Sequence, residues 1–139
     1  MGGVAAGESP GRRRQRLKVY FDGGCRPNPG PIEAAVVARG AVTFFDDLGS
    51  GTSGDAEWLA LIAALRLAQS LGEPDFDLIG DCANVIAQAS GASKCRSPAA
   101  LRHLERFRAE AAGAPLRRIV WTPRAQNLAG IALAQRRML

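Results

Sequence analysis

Three acids in this chain stand where a divalent metal ion could use them. Asp22 follows the alternating run Leu17-Lys18-Val19-Tyr20-Phe21 and precedes Gly23-Gly24-Cys25-Arg26-Pro27-Asn28-Pro29-Gly30-Pro31. β-forming residues running into a Gly/Asn/Pro cluster predict a strand entering tight turns, with Asp22 at the strand end. Asp81 likewise follows the short apolar run Phe76-Asp77-Leu78-Ile79-Gly80. Glu57 falls in the expected first turn of a helix whose apolar residues, Trp58, Leu61, Ile62, Leu65 and Ala68, recur at helical spacing. Carboxylates brought together repel one another, so such a trio normally surrounds a cation. Two divalent ions about 4 Å apart suit phosphodiester hydrolysis, one activating water and the other stabilising the leaving oxygen. Taken singly, each acid also has a plainer reading: Glu57 as a first-turn acid complementing the helix dipole, Asp81 as a helix N-cap, Asp22 as a turn residue.

The elements that must position these acids can be read along the chain. After the Pro/Gly loop, residues 34–39 and 41–45 predict a hairpin around Gly40. The segment 49–54 is a loop offering Thr52 and Ser53 as N-caps, and the first helix runs to about Leu71, stopped by Gly72 and Pro74. A fourth strand leads to Asp81 and is followed by a short helix over 84–89 and a polar connector. A second long helix over 99–112, a fifth strand over 117–121 and a last helix over 127–137 complete the chain. Hairpin strands followed by βαβ crossovers predict an α/β fold, a mixed sheet with helices on its faces. If strands one and four are parallel neighbours, Asp22 and Asp81 lie at adjacent carboxyl ends, and Glu57 reaches over them from the crossing helix.

Bulk properties narrow the class. With 139 residues the chain is long enough for one domain with a real core. No apolar stretch nears the roughly 20 residues of a membrane span, and residues 1–10 lack the apolar segment of a signal peptide. The three cysteines, Cys25, Cys82 and Cys95, are odd in number and lack CxxC spacing, which fits reduced thiols and a cytoplasmic location. The net charge of +5 is uneven: Arg12, Arg13, Arg14 and Arg16 against Glu8 leave +3 in residues 1–16 and +2 in the rest. That basic leader is expected to be a disordered tail ahead of a folded unit over 17–139, either solvated or adding phosphate contacts.

From Leu17 to Leu139 the chain resembles a type 1 ribonuclease H. The family's D-G-x-x-x-x-N-P-G-P stands as Asp22-Gly23 to Asn28-Pro29-Gly30-Pro31, and its T-x-x-x-A-E as Thr52 to Ala56-Glu57. Asp81 matches the aspartate ending its fourth strand, and Trp121-Thr122-Pro123-Arg124-Ala125-Gln126-Asn127 matches its W-x-P-R-x-x-N. The resemblance implies a five-stranded mixed sheet of order 3-2-1-4-5 flanked by helices. It also implies Asp22, Glu57 and Asp81 as metal ligands for two Mg²⁺ ions, which Mn²⁺ can replace, and an RNA–DNA hybrid as substrate. Gly23, Gly24, Arg26 and Asn28 are then expected at the hybrid's minor groove, Lys94 and Arg96 at a shortened basic connector, and Arg124 over the scissile phosphate.

The departures bear on activity. In the pattern N-x-x-A-D-x-L-A the aspartate is the fourth metal-site carboxylate, and here Ile131 takes its place. The last acid of the chain is Glu110, so no shift of register restores it; Glu33 and Glu105 are the acids that might substitute from other elements. Ile32 and Glu33 occupy positions that are commonly small, and Cys82 replaces a usual serine. The loop before the last helix has no histidine, His103 lying in a helix elsewhere. Trp58 and Trp121 are read as core residues, Cys25 and Cys82 as small packing residues. The leading expectation is a metal-dependent endonuclease cutting the RNA strand of hybrids, weakened at the second metal by Ile131. The alternatives are a catalytically impaired module that binds nucleic acid or a protein, and a DNA nuclease of the same fold.

Overall fold

The alternation Leu17-Val19-Phe21 puts three buried apolar side chains on one side of strand β1 (Leu17–Cys25). The computed structural model describes residues 16–113 and 116–139 of the chain. β1 pairs antiparallel with β2 (Gly30–Ala38), which pairs with β3 (Ala41–Phe45) and with a two-residue strand β4 (Ser50–Gly51). β1 also runs parallel to β5 (Phe76–Gly80), and β5 parallel to β6 (Leu116–Trp121). The long strands therefore lie in the order β3-β2-β1-β5-β6. This is the expected order of five strands, with β4 added where the sequence suggests only a loop.

Helix α1 (Ser53–Ser70) begins with a reciprocal cap. Thr52 Oγ1 accepts from the Asp55 N–H at 3.1 Å, and the Asp55 carboxylate accepts from the Thr52 N–H at 3.0 Å. Caps of this kind contribute about 1 kcal/mol. The stripe from Trp58 to Ala68 is buried against Val19, Phe21, Val36, Phe76 and Leu78 of the sheet. Two further helices, α2 (Ala83–Ser90) and α3 (Pro98–Ala111), add Val85, Ile86, Leu104 and Phe107 to the same core. α4 (Leu128–Arg137) covers the opposite face, where Ala129 and Leu133 pack on Ala35, Val37 and Tyr20.

Three expectations change. β1 does not end at Asp22: its pairing with β2 continues through Gly24↔Glu33 to Cys25↔Ile32, because two glycines fit an extended ladder as readily as a turn. Glu57 is the fifth residue of α1, and the first-turn acid is Asp55. Trp121 is 51% exposed, since it ends the edge strand β6 rather than entering the core. The expected disordered tail lies outside the described residues apart from Arg16. That arginine is anchored, 3.1 Å from the buried Asp77 carboxylate and 3.4 Å from Asp75.

Candidate active site

The register of the sheet brings the first two acids level. Tyr20 pairs with Ile79 in the parallel β1–β5 ladder, and carrying that offset two residues further sets Asp22 beside Asp81. β5 stops at Gly80 while β1 runs on, so Asp22 stands in mid-strand on its β2 side and just past the ladder on its β5 side. The third acid arrives because α1 lies very close to β1. A Cβ on Gly23 would come within 2.2 Å of the Ala56 carbonyl oxygen. Only glycine permits that approach, and it delivers the next helical residue, Glu57, to Asp22. Ligand oxygens of Asp22, Glu57 and Asp81 all lie within 4.8 Å of one another.

Asn127 fixes the geometry of this group. Fully buried, it donates from Nδ2 to the Asp81 Oδ2 at 2.8 Å and to the Phe21 carbonyl at 3.0 Å. Its Oδ1 accepts from the Ala129 N–H at 3.1 Å and so caps α4. One side chain thereby ties α4 to both β1 and Asp81. The N-cap reading of Asp81 does not hold, because the cap of α2 is Cys82 and carries no side-chain bond. The Trp121 indole N–H donates to the Asp81 carbonyl at 3.2 Å.

The electrostatics are those of a site short of positive charge. Burial, and then the charges of Asp22 and Asp81, push the Glu57 carboxyl from 4.5 up to about 8. Burial, and then Asp81, raise Asp22 from 3.8 to about 6, against the opposing pull of Arg124 and Arg137. Glu57 Oε1 is buried and has no hydrogen-bond partner among the described residues. Three hard oxygen donors, one of them orphaned, fit a hard divalent cation, whose binding would expel the protons held here near neutrality. Burial also pushes the Cys82 thiol up, away from the thiolate a softer metal would need.

Asp22 and Glu57 open into a cleft of about 790 Å³ that Gly23, Gly24, Arg124 and Ile131 also line, while the Asp81 side chain lies behind them, only 5% exposed. Arg124 is 88% exposed, with its guanidinium 3.9 Å from Asp81 Oδ1. Ile131 is 38% exposed, and no carboxylate joins the trio beside it among the described residues. Glu33 does not substitute, being bound to Arg136 and Arg137 at 2.7 Å each; Glu105 is not part of the cleft wall. Asn28 is exposed but already bonded to the start of α1, donating to Ser53 Oγ at 3.2 Å and accepting from the Ser53 N–H at 3.1 Å. Arg26, Lys94 and Arg96 are exposed and do not line the cleft. Cys25 is buried among Ile32 and Ala56, and Cys82 is partly exposed in the cleft wall.

Sequence reasoning left out Asn127, whose bonds span up to 106 residues; the motif it ends was its only signal. It also placed His103 away from the site. The ring in fact lines the cleft, stacks on Trp58 at 6.2 Å and lies 2.9 Å from Asp55 Oδ1, a pairing across α1 and α3 with no local signature.

A mixed sheet of this order, with three acids gathered where its first strand passes its central parallel neighbour, defines a protein of the ribonuclease H-like class. Residues 21–137 match the family model described as reverse transcriptase-like. The ribonuclease HI of Halobacterium salinarum is 37% identical over 131 residues, which are 88% of this chain and 64% of that protein. A crystal structure of RNase H1 from the same archaeon superposes with a TM-score of 0.74 at 36% identity, covering 87% of this chain and 99% of that one. The N-terminal RNase H domain of a Mycobacterium tuberculosis protein, solved as a fusion with maltose-binding protein, gives 0.70 at 29% identity, covering 86% and 95%. The chain belongs to the ribonuclease H family. It spans less than two thirds of the full length of the haloarchaeal relative and 32% of the mycobacterial one. Among the described residues, no helix is long and apolar enough to cross a membrane.

Proposed function

We propose that this chain is an endonuclease that hydrolyses the RNA strand of RNA–DNA hybrids with divalent metal ions, Mg²⁺ first among them. The observation that carries this reading is the orphaned Glu57 oxygen beside two further carboxylates, an arrangement that repels itself until a cation arrives. A divalent ion so held supplies an activated water and charge stabilisation for the leaving oxygen of a phosphodiester, giving 3′-hydroxyl and 5′-phosphate ends. Asp22, Glu57 and Asp81 are its ligands. Asn127 holds the Asp81 carboxylate beside Asp22 and Glu57, and the exposed Arg124 would meet the phosphate being cut. Gly23 and Gly24 line the cleft, and Arg26 and Asn28, in the exposed turn that follows them, would meet the minor groove of the duplex. Lys94 and Arg96 would serve an outer part of the duplex. Three free cysteines suit a reducing cytoplasm.

Family resemblance implies two ions, and Ile131 supplies the second with neither charge nor hydrogen bond. That observation favours a weakened enzyme, and at its limit a binding module without chemistry. Cleavage of a labelled hybrid in Mg²⁺ and then Mn²⁺, by the wild type and by Asp22→Asn, separates the cases. We expect cleavage by the wild type, stronger in Mn²⁺, and its loss in the variant. Activity surviving Asp22→Asn would sink the ligand assignment. Hybrid binding without cleavage in either metal would leave the module.

A further inference from the structure

Two consecutive arginines end α4, and their surroundings are opposite. Arg136 is used up. Its η nitrogens donate to Asp46 at 3.0 and 2.7 Å and to Glu33 Oε1 at 2.7 Å, and its guanidinium lies 4.3 Å over the Phe44 ring. Arg137 spends only Nε, on Glu33 Oε2 at 2.7 Å. Its two η nitrogens make no hydrogen bond among the described residues, although the side chain is only 27% exposed. One of them lies where a side chain on Gly24 would stand, 2.7 Å from the Cβ position. Glu33 is opposite Gly24 in the β1–β2 register, so the clamp and the space it fills come from the same rung of the sheet.

Arg137 borders the cleft that Asp22 and Glu57 line, on the face of α4 that also brings it Gly130, Ile131 and Ala134. That face therefore brings the cleft one charge, and it is positive. A guanidinium held at Nε on the far side keeps its paired N–H donors for an anion on the near side, the geometry that suits phosphate.

We propose that Arg137 binds a backbone phosphate of the nucleic acid in this cleft, held for that contact by Glu33 in the room left by Gly24. The inference rests on the hybrid-binding reading above and adds a specific anion ligand to it. Arg137 acts on substrate affinity, independently of whether position 131 supports turnover.

The test is equilibrium binding of a labelled RNA–DNA hybrid in EDTA, across a series of KCl concentrations, with turnover absent. Each phosphate contact adds about 0.9 to the slope of log affinity against log salt. Arg137→Gln is expected to weaken binding about 3- to 10-fold near 0.1 M salt and to reduce the slope by about 1. Arg137→Lys should keep the slope, and Arg136→Gln, the equally charged neighbour whose donors are spent, should leave it at the wild-type value. An unchanged slope in Arg137→Gln overturns the proposal, as does an equal fall in Arg136→Gln, which would mean general surface charge. Thermal unfolding of each variant checks that it is folded, and the lysine variant reads the charge if the glutamine variant is not. A wild type that binds no hybrid at all fails the functional reading together with this one. Wild-type binding with an indifferent Arg137 fails this one alone.

Discussion

Glu57→Gln should make the metal-free protein more stable while removing its response to metal. The wild-type carboxyl lies at about 8 in the folded protein against 4.5 for the free group. A carboxyl raised in this way contributes most to folding below the lower value, where both states are protonated, and that contribution is lost as pH rises toward the upper one. Each unit between the two corresponds to about 1.4 kcal/mol. The cost to the folded state is thus under about 1 kcal/mol at pH 5, about 3 kcal/mol at pH 7, and up to about 5 kcal/mol at pH 9. Glutamine keeps the shape and an acceptor for Gly23 but never ionises. Water entry and side-chain relaxation recover part of the penalty in the wild type, leaving an expected gain of about 1–3 kcal/mol at pH 7.

The assay is urea unfolding in EDTA at pH 5, 7 and 9, reading the difference between variant and wild type so that other titrating groups cancel. A gain of that size moves the midpoint by about 1 M at ordinary urea slopes. Adding Mg²⁺ or Mn²⁺ should then stabilise the wild type by mass action and leave the variant nearly unmoved. A variant less stable than the wild type at pH 9 in EDTA, or a difference that stays constant from pH 5 to pH 9, would refute the picture of three acids crowded without a counter-ion.

Ile131→Asp should tighten divalent-metal binding at least several-fold and raise hybrid cleavage. Since the position is 38% exposed, its stability cost should stay near 1 kcal/mol at most, and a calorimetric titration beside a cleavage assay reads both. Asn127→Ala removes bonds to Phe21, Asp81 and Ala129, and should cost about 2–4 kcal/mol by urea unfolding while also weakening metal binding through a freed Asp81. Gly23→Ala, whose Cβ would meet the Ala56 carbonyl at 2.2 Å, should push α1 off β1 and cost about 1–3 kcal/mol. It should also lower metal affinity by moving Glu57 away; full affinity in a destabilised variant would count against that route.

The mixed sheet and the carboxylate trio were legible because local signals carry them, and the strand order followed from the family resemblance. Strand and helix periods differ, the strings of residues around Asp22, Glu57 and Asp81 are short, and a parallel β1–β5 pair fixes which ends meet. What escaped depends on partners far along the chain. Gly23-Gly24-Cys25 reads as a turn until Ile32 to Ala34 are known to lie opposite it. Asp55 looks like a cap residue and His103 like a helix-surface residue, and only the packing of α3 on α1 joins them. Trp121 looks like core because indole is large and apolar; its exposure follows from β6 having no strand beyond it.

The unusual residues in this cleft also make sense together. An aspartate at 131 would add a fourth negative charge to the cleft wall, which Arg137 also borders. With isoleucine there, no acid from α4 competes for the Arg137 η nitrogens, and Glu33 holds the guanidinium from the outer side. Burial works against the charge of Glu33, but its bonds to Arg136 and Arg137 outweigh that and hold the carboxyl below its ordinary value. An isoleucine at 131 and a fixed cation at 137 leave this cleft less negative than an acid there would, while the cation offers a direct hold on phosphate. The chemistry of Asp22 is therefore set from two sides: by the protons or metal it shares with Glu57 and Asp81, and by a guanidinium whose position depends on Glu33.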